Sequence, residues 1–560
     1  MDNYQIADVF SLLSKLMDIH GENSFKSKSY SSAAFAIEKS DLQLSEIPEE
    51  KIVSLKGIGA STSQKIIEIL KTGHLKALDE IIFNTPPGVI EMMNIKGIGP
   101  KKINTIWKEM EIESVGELLY ACQENRLKIY KGFGEKTQQT IIDTIEFYLK
   151  NRESHLYSQV VLVTEQTTVL LKKLFGEKNV FITGELKMQS EIVDDIDFLI
   201  VHSLTEIENK LNGLTGLSLE KKNDDFVVYK SSSGVKIKLI ATDPANLVKD
   251  LVYTSSSLEF SNALTEQFSS INYENCSQEE AFFEKAGMAF IPAYLREDKA
   301  IIEIAKSGDM PVVIEKKDIK GIIHCHSNWS DGSNTIEELA EAAITKGLEY
   351  LVISDHSKSA FYANGLSEEK IIQQHIYIDE LNERLQPFKI FKSIESDILN
   401  DGSLDYNNTI LSSFDLIIAS VHSNLKMTEE KAMKRLLTAI ENPYTTILGH
   451  MTGRLLLSRN GYPVDHKKII EACASNKVVI ELNAHPNRLD MDWRYIRYAL
   501  EKGVLISIDP DAHFIEGLED IHYGVLVAQK GMLTKENNLS SFSRIEFQKY
   551  ITEKKSTIAR

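Results

Sequence analysis

Nine side chains with nitrogen or oxygen donors stand at or just beyond the ends of short apolar runs in the C-terminal part of the chain: His324, His326, Asp331, His356, Glu395, His422, His450, Asp511 and His513. Six of the 14 histidines fall at these positions. A lone histidine at a strand end is usually a packed core residue. Nine donors at repeated ends exceed what packing needs, because buried titratable groups without partners are costly. Imidazoles and carboxylates together suit Mn²⁺, Zn²⁺ or Fe²⁺ better than Mg²⁺. The chemistry such ions support is hydrolysis, with an activated water and neutralised phosphate oxygens.

The elements that must position these donors are seven apolar runs: GIIHCH, EYLVISDH, FKIFKSIE, DLIIASVH, TTILGH, KVVIELN and VLISIDPDAH. Amphipathic stretches such as TIEELAEAAITKG separate them. This β/α alternation predicts a parallel, barrel-like α/β fold, in which chemistry gathers at the C-terminal ends of the strands. Arg454 and Arg488 follow strand ends and could clamp a phosphate, or could be surface salt-bridge residues. Asp397 could orient a ligand histidine. Cys325 alternates away from the His324/His326 face and reads as packing.

The pattern His-x-His, Ser-Asp-Gly, Ser-Asp-His, Ile-Glu-x-Asp-Ile, Ser-Val-His, Gly-His and Asp-x-Asp-Ala-His resembles the polymerase and histidinol phosphatase (PHP) domain over about 318–560. The resemblance implies a distorted (β/α)7 barrel and three metal ions. One would use His324, His326, Glu395 and Asp511. A second would share Glu395 and add His422 and His450. The third would use Asp331, His356 and His513. His324, His326, Glu395, Asp511 and His513 are the expected catalytic set.

In the middle of the chain, Asp195 and Asp197 alternate on a predicted strand, so both carboxylates face one side. Paired acids of this kind hold divalent ions in nucleotidyltransferases, but Asp-x-Asp alone could equally be a solvated strand edge. The surrounding order resembles DNA polymerase family X, close to the bacterial members with a C-terminal phosphoesterase domain. Gly21–Lys26 (GENSFK) and Ser31–Ala34 (SSAA) belong to the same resemblance. It implies an α+β nucleotidyltransferase, palm-like domain, from which this chain departs at four places. Glu185 replaces a serine after Gly184, and Met188 removes a cation that would follow Lys187. Lys236 stands where a third metal-binding aspartate is expected, and Ser255-Ser256-Ser257 replaces Thr-Gly-Ser. An ammonium among metal ligands repels the ion. DNA synthesis is therefore expected to be weak or lost. Lys65 matches the lysine that forms a Schiff base with abasic sugar in some members; a solvated helix lysine is the simpler reading.

The first region repeats LKGIGAS, IKGIGPK and YKGFGEK, each followed by a helical run. These resemble helix-hairpin-helix motifs. Glycines permit the tight turn, and the backbone N–H groups and dipole of the following helix favour a phosphate. Gly57, Gly59, Gly97, Gly99, Lys101, Gly132 and Gly134 are the expected DNA contacts, without base specificity.

Composition narrows the classes further. The 560 residues are 42% hydrophobic and 26% charged, ordinary for a folded protein of several domains. Net charge is −18, but the first 150 residues carry only −3, so local polyanion binding remains open there. No run of ~18 apolar residues or leader pattern is present. The four cysteines are scattered, which fits a reducing cytoplasm.

The reading is an all-α region over 1–150, a palm/thumb-like domain over 151–305, a linker over 306–317 and the PHP domain over 318–560. It describes a cytoplasmic, monomeric DNA repair nuclease, acting 3′–5′ on gapped, nicked or abasic duplex. Abasic-site incision and 3′-phosphate removal belong to the same chemistry. An active gap-filling polymerase, a phosphatase of small esters and a pure DNA-binding scaffold are the alternatives.

Overall fold

The apolar runs and amphipathic stretches become, in the computed structural model, strands and helices of two units, Met1–Glu153 and Ser154–Arg560. The structure describes residues 1–40, 42–53, 55, 58–123, 127, 130–150, 154–274, 276–457 and 460–558.

The first unit is helical: α1 (Asn3–His20), α2 (Ser24–Glu38), α3 (Glu49–Ile52), α4 (Ala60–Thr72), α5 (Lys76–Phe83), α6 (Pro87–Glu91), α7 (Pro100–Asn104), α8 (Val115–Gln123) and α9 (Glu135–Lys150). A capping box starts α1, with Asp2 accepting from the Gln5 N–H and Gln5 accepting from the Asp2 N–H. Its apolar positions Ile6, Phe10, Leu13 and Met17 recur at three or four residues and enter the core. Ile58, Ile98 and Phe133 are buried, and each donates its N–H to the carbonyl three residues earlier, at 3.1, 3.2 and 3.1 Å. Gly97 and Gly132 adopt φ of +89° and +94°, which glycine tolerates without strain.

The second unit begins with β1 (His155–Leu156), β2 (Val180–Thr183), β3 (Ile192–Val193), β4 (Asp195–Ile200), β5 (Leu217–Lys222), β6 (Phe226–Ser231) and β7 (Lys236–Ala241). Five of these form a sheet in the order β2-β4-β7-β6-β5, in which only β4 and β7 run parallel. The seven runs read as barrel strands are β8 (Gly321–Cys325), β9 (Tyr350–Ile353), β10 (Lys389–Asp397), β11 (Leu416–Ser420), β12 (Ile447–Leu448), β13 (Val479–Asn483) and β14 (Ile506–Asp509). They pair in parallel and in chain order. The ring nearly closes where β8 meets the segment after β14. There the His326 N–H donates to Ala512 O at 2.8 Å, and the Ala512 N–H to His324 O at 3.3 Å.

The bottom of the barrel is plugged by the C-terminal helix Arg544–Ile558. Phe547 stacks on Tyr350 with centroids 4.5 Å apart and meets Phe391 edge-on at 4.8 Å. These rings join Ile323, Val352, Ile418 and Ile447 in one apolar cluster. Polar chemistry is thereby confined to the opposite mouth.

The stretch expected as a linker, 306–317, is docked. Ile314 is fully buried, and its N–H donates to Leu533 O at 2.8 Å. The sheet region and the barrel are also tied by Lys530, which donates to Met188 O at 2.8 Å and pairs with Glu297. Trp493 Nε1 donates to Glu191 at 3.3 Å.

Candidate metal centre

All nine donors expected from the sequence meet at the mouth of the barrel. Glu395, at the end of β10, is the hub. Its Oε1 lies 3.0 Å from Nε2 of both His422 and His450 and 3.2 Å from His324 Nε2. Its Oε2 lies 3.0 Å from His356 Nδ1 and 3.6 Å from His326 Nε2. Asp511 Oδ1 lies 3.1 Å from His326 Nε2 and 3.4 Å from His324 Nε2. Asp331 Oδ2 lies 3.5 Å from Nε2 of both His356 and His513.

Local backbone features make this convergence possible. His324 sits at φ +61°, where the pairing of β8 with β9 shifts register between Ile322 and Cys325. That irregularity turns two imidazoles into one mouth while Cys325 packs, fully buried, into the outer core. The loop carrying Asp331 is folded by Asp355, which accepts from the Ser327 N–H and Oγ (2.8 and 2.7 Å), Ser330 Oγ (2.5 Å) and Gln374 Nε2 (2.6 Å). Gly332 passes so close to His326 that a Cβ there would lie 2.3 Å from its carbonyl oxygen.

Several of these buried atoms approach one another without hydrogen bonding: His324 Nε2, His326 Nδ1, His356 Nδ1, His450 Nδ1 and Glu395 Oε2 have no hydrogen-bond partner. Donor atoms that converge yet do not satisfy each other are what a shell of metal ligands presents when its lone pairs point at shared points between them. Three sets have all their donor atoms within 4.8 Å of one another: His326, Asp331, His356 and His513; His324, His326 and Asp511; and His356, Glu395 and His422. The grouping differs in detail from the one the resemblance implies, since His326 also faces the Asp331 set and His356 also faces Glu395. The donor set is nitrogen and oxygen only, and it fits borderline divalent ions.

Electrostatics agree. Burial alone would raise the Glu395 carboxyl, but the imidazoles of His422, His324 and His356 hold it well below the usual range. Burial opposes protonation of His356 and His422, yet Glu395 with Asp331 raises the first to about 10, and Glu395 with Asp397 raises the second to about 9. His326 is pushed down to about 3 by burial and by His356 and His513. Protons on imidazoles thus balance carboxylates where cations could do so.

The surrounding residues fix the ligands. Asp397 Oδ1 lies 2.5 Å from His422 Nδ1, as expected. Glu481 Oε2 lies 2.5 Å from His324 Nδ1, while its Oε1 accepts from the His450 N–H at 3.0 Å and from Asn483 Nδ2 at 2.9 Å. Sequence reasoning missed Glu481. Its signal was the run KVVIELN, one of the seven, whose polar end matched no expected ligand.

Of the two arginines, Arg488 stays at the mouth, its Nε 3.7 Å from Asp511 Oδ2. Arg454 takes the salt-bridge role, one of the two readings open to it, and is engaged within the protein. Its guanidinium donates to Arg488 O at 2.9 Å and to Leu489 O, and pairs with Asp492 at 3.3 Å and Glu191 at 3.6 Å. It braces the loop that carries Arg488.

The polymerase-like residues lie on the five-stranded sheet. Asp195 and Asp197 share a face of β4, but the parallel register sets Lys236 beside Asp195 and Lys238 beside Asp197. The Lys238 ammonium lies 3.4 Å from Asp197 Oδ2, so a second cation joins Lys236 on the strand that flanks the two acids. Burial raises Asp197 to about 6 despite that cation. Glu185 accepts from the Asp194 N–H at 2.7 Å, and Lys187 pairs with Glu279, which also binds Arg296. The serine hydroxyls are spent on the fold. Ser255 bonds Thr183 at 2.7 Å, Ser256 donates to Val252 O at 2.6 Å, and Ser257 caps the helix Leu258–Phe268.

In the first unit, Gly59 and Gly99 are the N-caps of α4 and α7, and Gly134 immediately precedes α9. A Cβ at Gly59, Gly97, Gly99, Gly132 or Gly134 would meet nothing within 4 Å, so these backbones are open to a ligand. Lys101 is exposed beside them. Gly57 lies outside the described residues. Lys65 lines a cavity of about 270 Å³ with His20, Lys26, Tyr30 and Glu80.

Comparison with known proteins places these features. Residues 1–75 match the helix-hairpin-helix domain family, residues 89–146 a SAM-like helix-hairpin-helix tandem, and residues 323–485 the PHP domain. A Bacillus subtilis protein named DNA polymerase/3'-5' exonuclease PolX is 32% identical over 97% of this chain and 99% of its own length. Proteins named probable phosphatases align over less than half of this chain. One from Thermoanaerobacter sp. is 26% identical over 42% of this chain and 95% of its own length. Another from Vibrio parahaemolyticus is 26% identical over 41% and 91%.

Proposed function

Because the chain belongs to the PolX family, the family X DNA polymerases that carry a C-terminal PHP domain, we propose that it is a DNA repair enzyme whose working centre is the barrel mouth. Its reaction is metal-dependent hydrolysis of DNA phosphodiesters, as a 3′–5′ exonuclease. The same centre is suited to abasic-site incision and 3′-phosphate removal. The observation that carries this reading is the convergence of six imidazoles and three carboxylates with buried, unpartnered atoms.

His324, His326, Glu395 and Asp511 would hold one ion; Glu395, His422 and His450 a second; Asp331, His356 and His513 a third. Mn²⁺, Zn²⁺ or Fe²⁺ bound there would supply phosphate charge neutralisation and a water acidified toward neutral pH. The chain's own residues do the rest. Glu481 and Asp397 hold His324 and His422 with their Nε2 atoms toward Glu395. Arg488 adds a cation at the edge, suited to a phosphate oxygen. The plugged barrel bottom leaves the mouth as the route for substrate and water.

The helix-hairpin-helix turns would bring gapped, nicked or abasic duplex to the enzyme by its backbone. Lys65, on its cavity wall, is the candidate amine for an abasic sugar. DNA synthesis is weak or lost in this reading, supported by the Lys238 ammonium beside Asp197 and by the engaged serines. The protein acts as a monomer in the cytoplasm.

A second reading, hydrolysis of small phosphate esters, is favoured by the similarity to a protein named a probable phosphatase, 95% of whose length is covered. The deciding experiment uses end-labelled gapped DNA with Mn²⁺, with and without dNTPs, beside a His324→Ala variant. Shortening of the primer by wild type alone supports the nuclease. Extension, or cleavage of a small ester with none of DNA, overturns it.

A further inference from the structure

A seventh histidine, His485, stands at the barrel mouth two residues beyond the end of β13, in the run HPNRLD that also supplies Arg488. None of the three ligand sets includes it. One buried side chain ties its turn to the cluster. Asn483 Oδ1 accepts from the His485 N–H at 3.1 Å, while Asn483 Nδ2 donates to Asp511 Oδ2 at 3.2 Å and to Glu481 Oε1 at 2.9 Å. The Arg488 N–H closes the turn by donating to His485 O at 2.8 Å, and Arg488 Nε lies 3.7 Å from the same Asp511 oxygen. His485 and Arg488 are thus anchored to one ligand carboxylate.

The turn also fixes the proton on the ring. The Asn487 N–H lies 3.2 Å from His485 Nδ1, and a backbone N–H can only donate. Nδ1 is therefore an acceptor, and the neutral imidazole carries its proton on Nε2. Burial lowers the pKa of this ring; Asp511 opposes that, and Arg488 and His513 add to it, so the neutral form is favoured. The charges that act on the ring are those of the mouth. Among the described residues, the contact from Asn487 is the one hydrogen bond of the imidazole, and Nε2–H is left as an unused donor.

A protonated Nε2 has no lone pair for a metal ion, so His485 is not a tenth ligand in this tautomer. It suits an acceptor that is itself drawn to cations. A phosphate group has several oxygens, and the ligand cluster and Arg488 take some of them. A neutral N–H adds a further contact without adding positive charge beside bound cations.

We propose that His485 is a substrate-contacting residue of the hydrolytic centre, whose Nε2–H donates to an oxygen of the phosphate group held beside Asp511 and Arg488. The proposal rests on the reading of the mouth as a metal-dependent phosphodiesterase and assigns that site a neutral donor.

Inorganic phosphate is the probe that separates the two ideas. Calorimetry on the full chain loaded with Zn²⁺ should show phosphate bound at least about tenfold more weakly by His485→Ala, the worth of a hydrogen bond to a charged group. His485→Gln, whose side-chain N–H stands in for Nε2–H, should recover most of the loss. Zinc content of both variants should match wild type in a chelating-dye assay. Nitrogen NMR of the metal-free chain, labelled at histidine, should place the His485 proton on Nε2. A proton on Nδ1, a loss of zinc in His485→Ala, or phosphate affinity equal to wild type overturns the contact. If His485→Ala matches wild type in phosphate affinity and both cleave DNA, the contact falls and the nuclease stands. If phosphate binding weakens as expected but wild type cleaves no DNA, the contact stands and the nuclease reading falls.

Discussion

Glu481 Oε2 lies 2.5 Å from His324 Nδ1 in the fully buried floor of the barrel mouth. The contact leaves His324 Nε2 as the atom facing Glu395 and Asp511. The same carboxylate accepts from the backbone N–H of His450. One acid that sequence reasoning passed over thus orients two residues that it found.

Glu481→Gln keeps the shape and removes the charge. Metal affinity should fall by about 10–100-fold, the usual cost of losing such a supporting carboxylate. Competition with a chelating dye measures it. An unchanged affinity would mean that Glu481 serves the fold alone.

Loading should depend on pH with a definite sign. In the metal-free chain His422 and His356 are raised to about 9 and about 10, so both are protonated at neutral pH. Both must lose their protons to bind a cation. Affinity should therefore rise with pH through the neutral range, with protons released on binding. Calorimetry in buffers of different ionisation enthalpy reads that release. In the metal-free chain these raised values stabilise the fold fully below the ordinary histidine range, and the contribution should fade as pH rises through about 9 to 10.

Asp197 is neutralised by Lys238 and raised to about 6 by burial. Primer extension by wild type with Mn²⁺ and dNTPs should stay at background, and Asp197→Ala should match it. Extension that disappears in the variant would show a working polymerase. In Lys238→Met the Asp197 carboxyl should titrate at still higher pH, because an attractive cation is gone; carbon NMR of labelled carboxyls follows this.

The barrel plug should carry stability. Phe547→Ala removes a fully buried ring between Tyr350 and Phe391. The expected cost is about 3–5 kcal/mol, read as an earlier denaturation transition of the second unit.

Lys101 stands exposed at the second hairpin turn. Lys101→Ala should weaken binding to all DNA sequences alike and lower the salt slope by about 1. A sequence-dependent loss would contradict backbone recognition.

The strand-end ligands were legible because a period of apolar runs and a change to polar chemistry are local features. His324, Glu395 and Asp511 could be named without knowing how the strands curve. Glu481 was not distinguishable from an ordinary polar end, because its role depends on pairing across the barrel with β8. Register had the same effect in the middle sheet. Lys236 and Lys238 alternate identically in sequence, and only the pairing of β7 with β4 shows which reaches Asp197. Sequence leaves Arg454 open between a phosphate clamp and a salt bridge, and only the fold brings four acceptors from distant segments around it. The plug formed by Phe547 is likewise a long-range contact that a plain amphipathic pattern does not announce.

The most direct measurement is a Mn²⁺ titration of chelator-stripped protein, with bound metal and 3′-terminal nucleotide release followed together. About three ions per chain are expected, with release rising in step, and His324→Ala should lose both metal and release. Nucleotide release that is indifferent to metal, or a wild-type chain that retains no ion, would contradict the account.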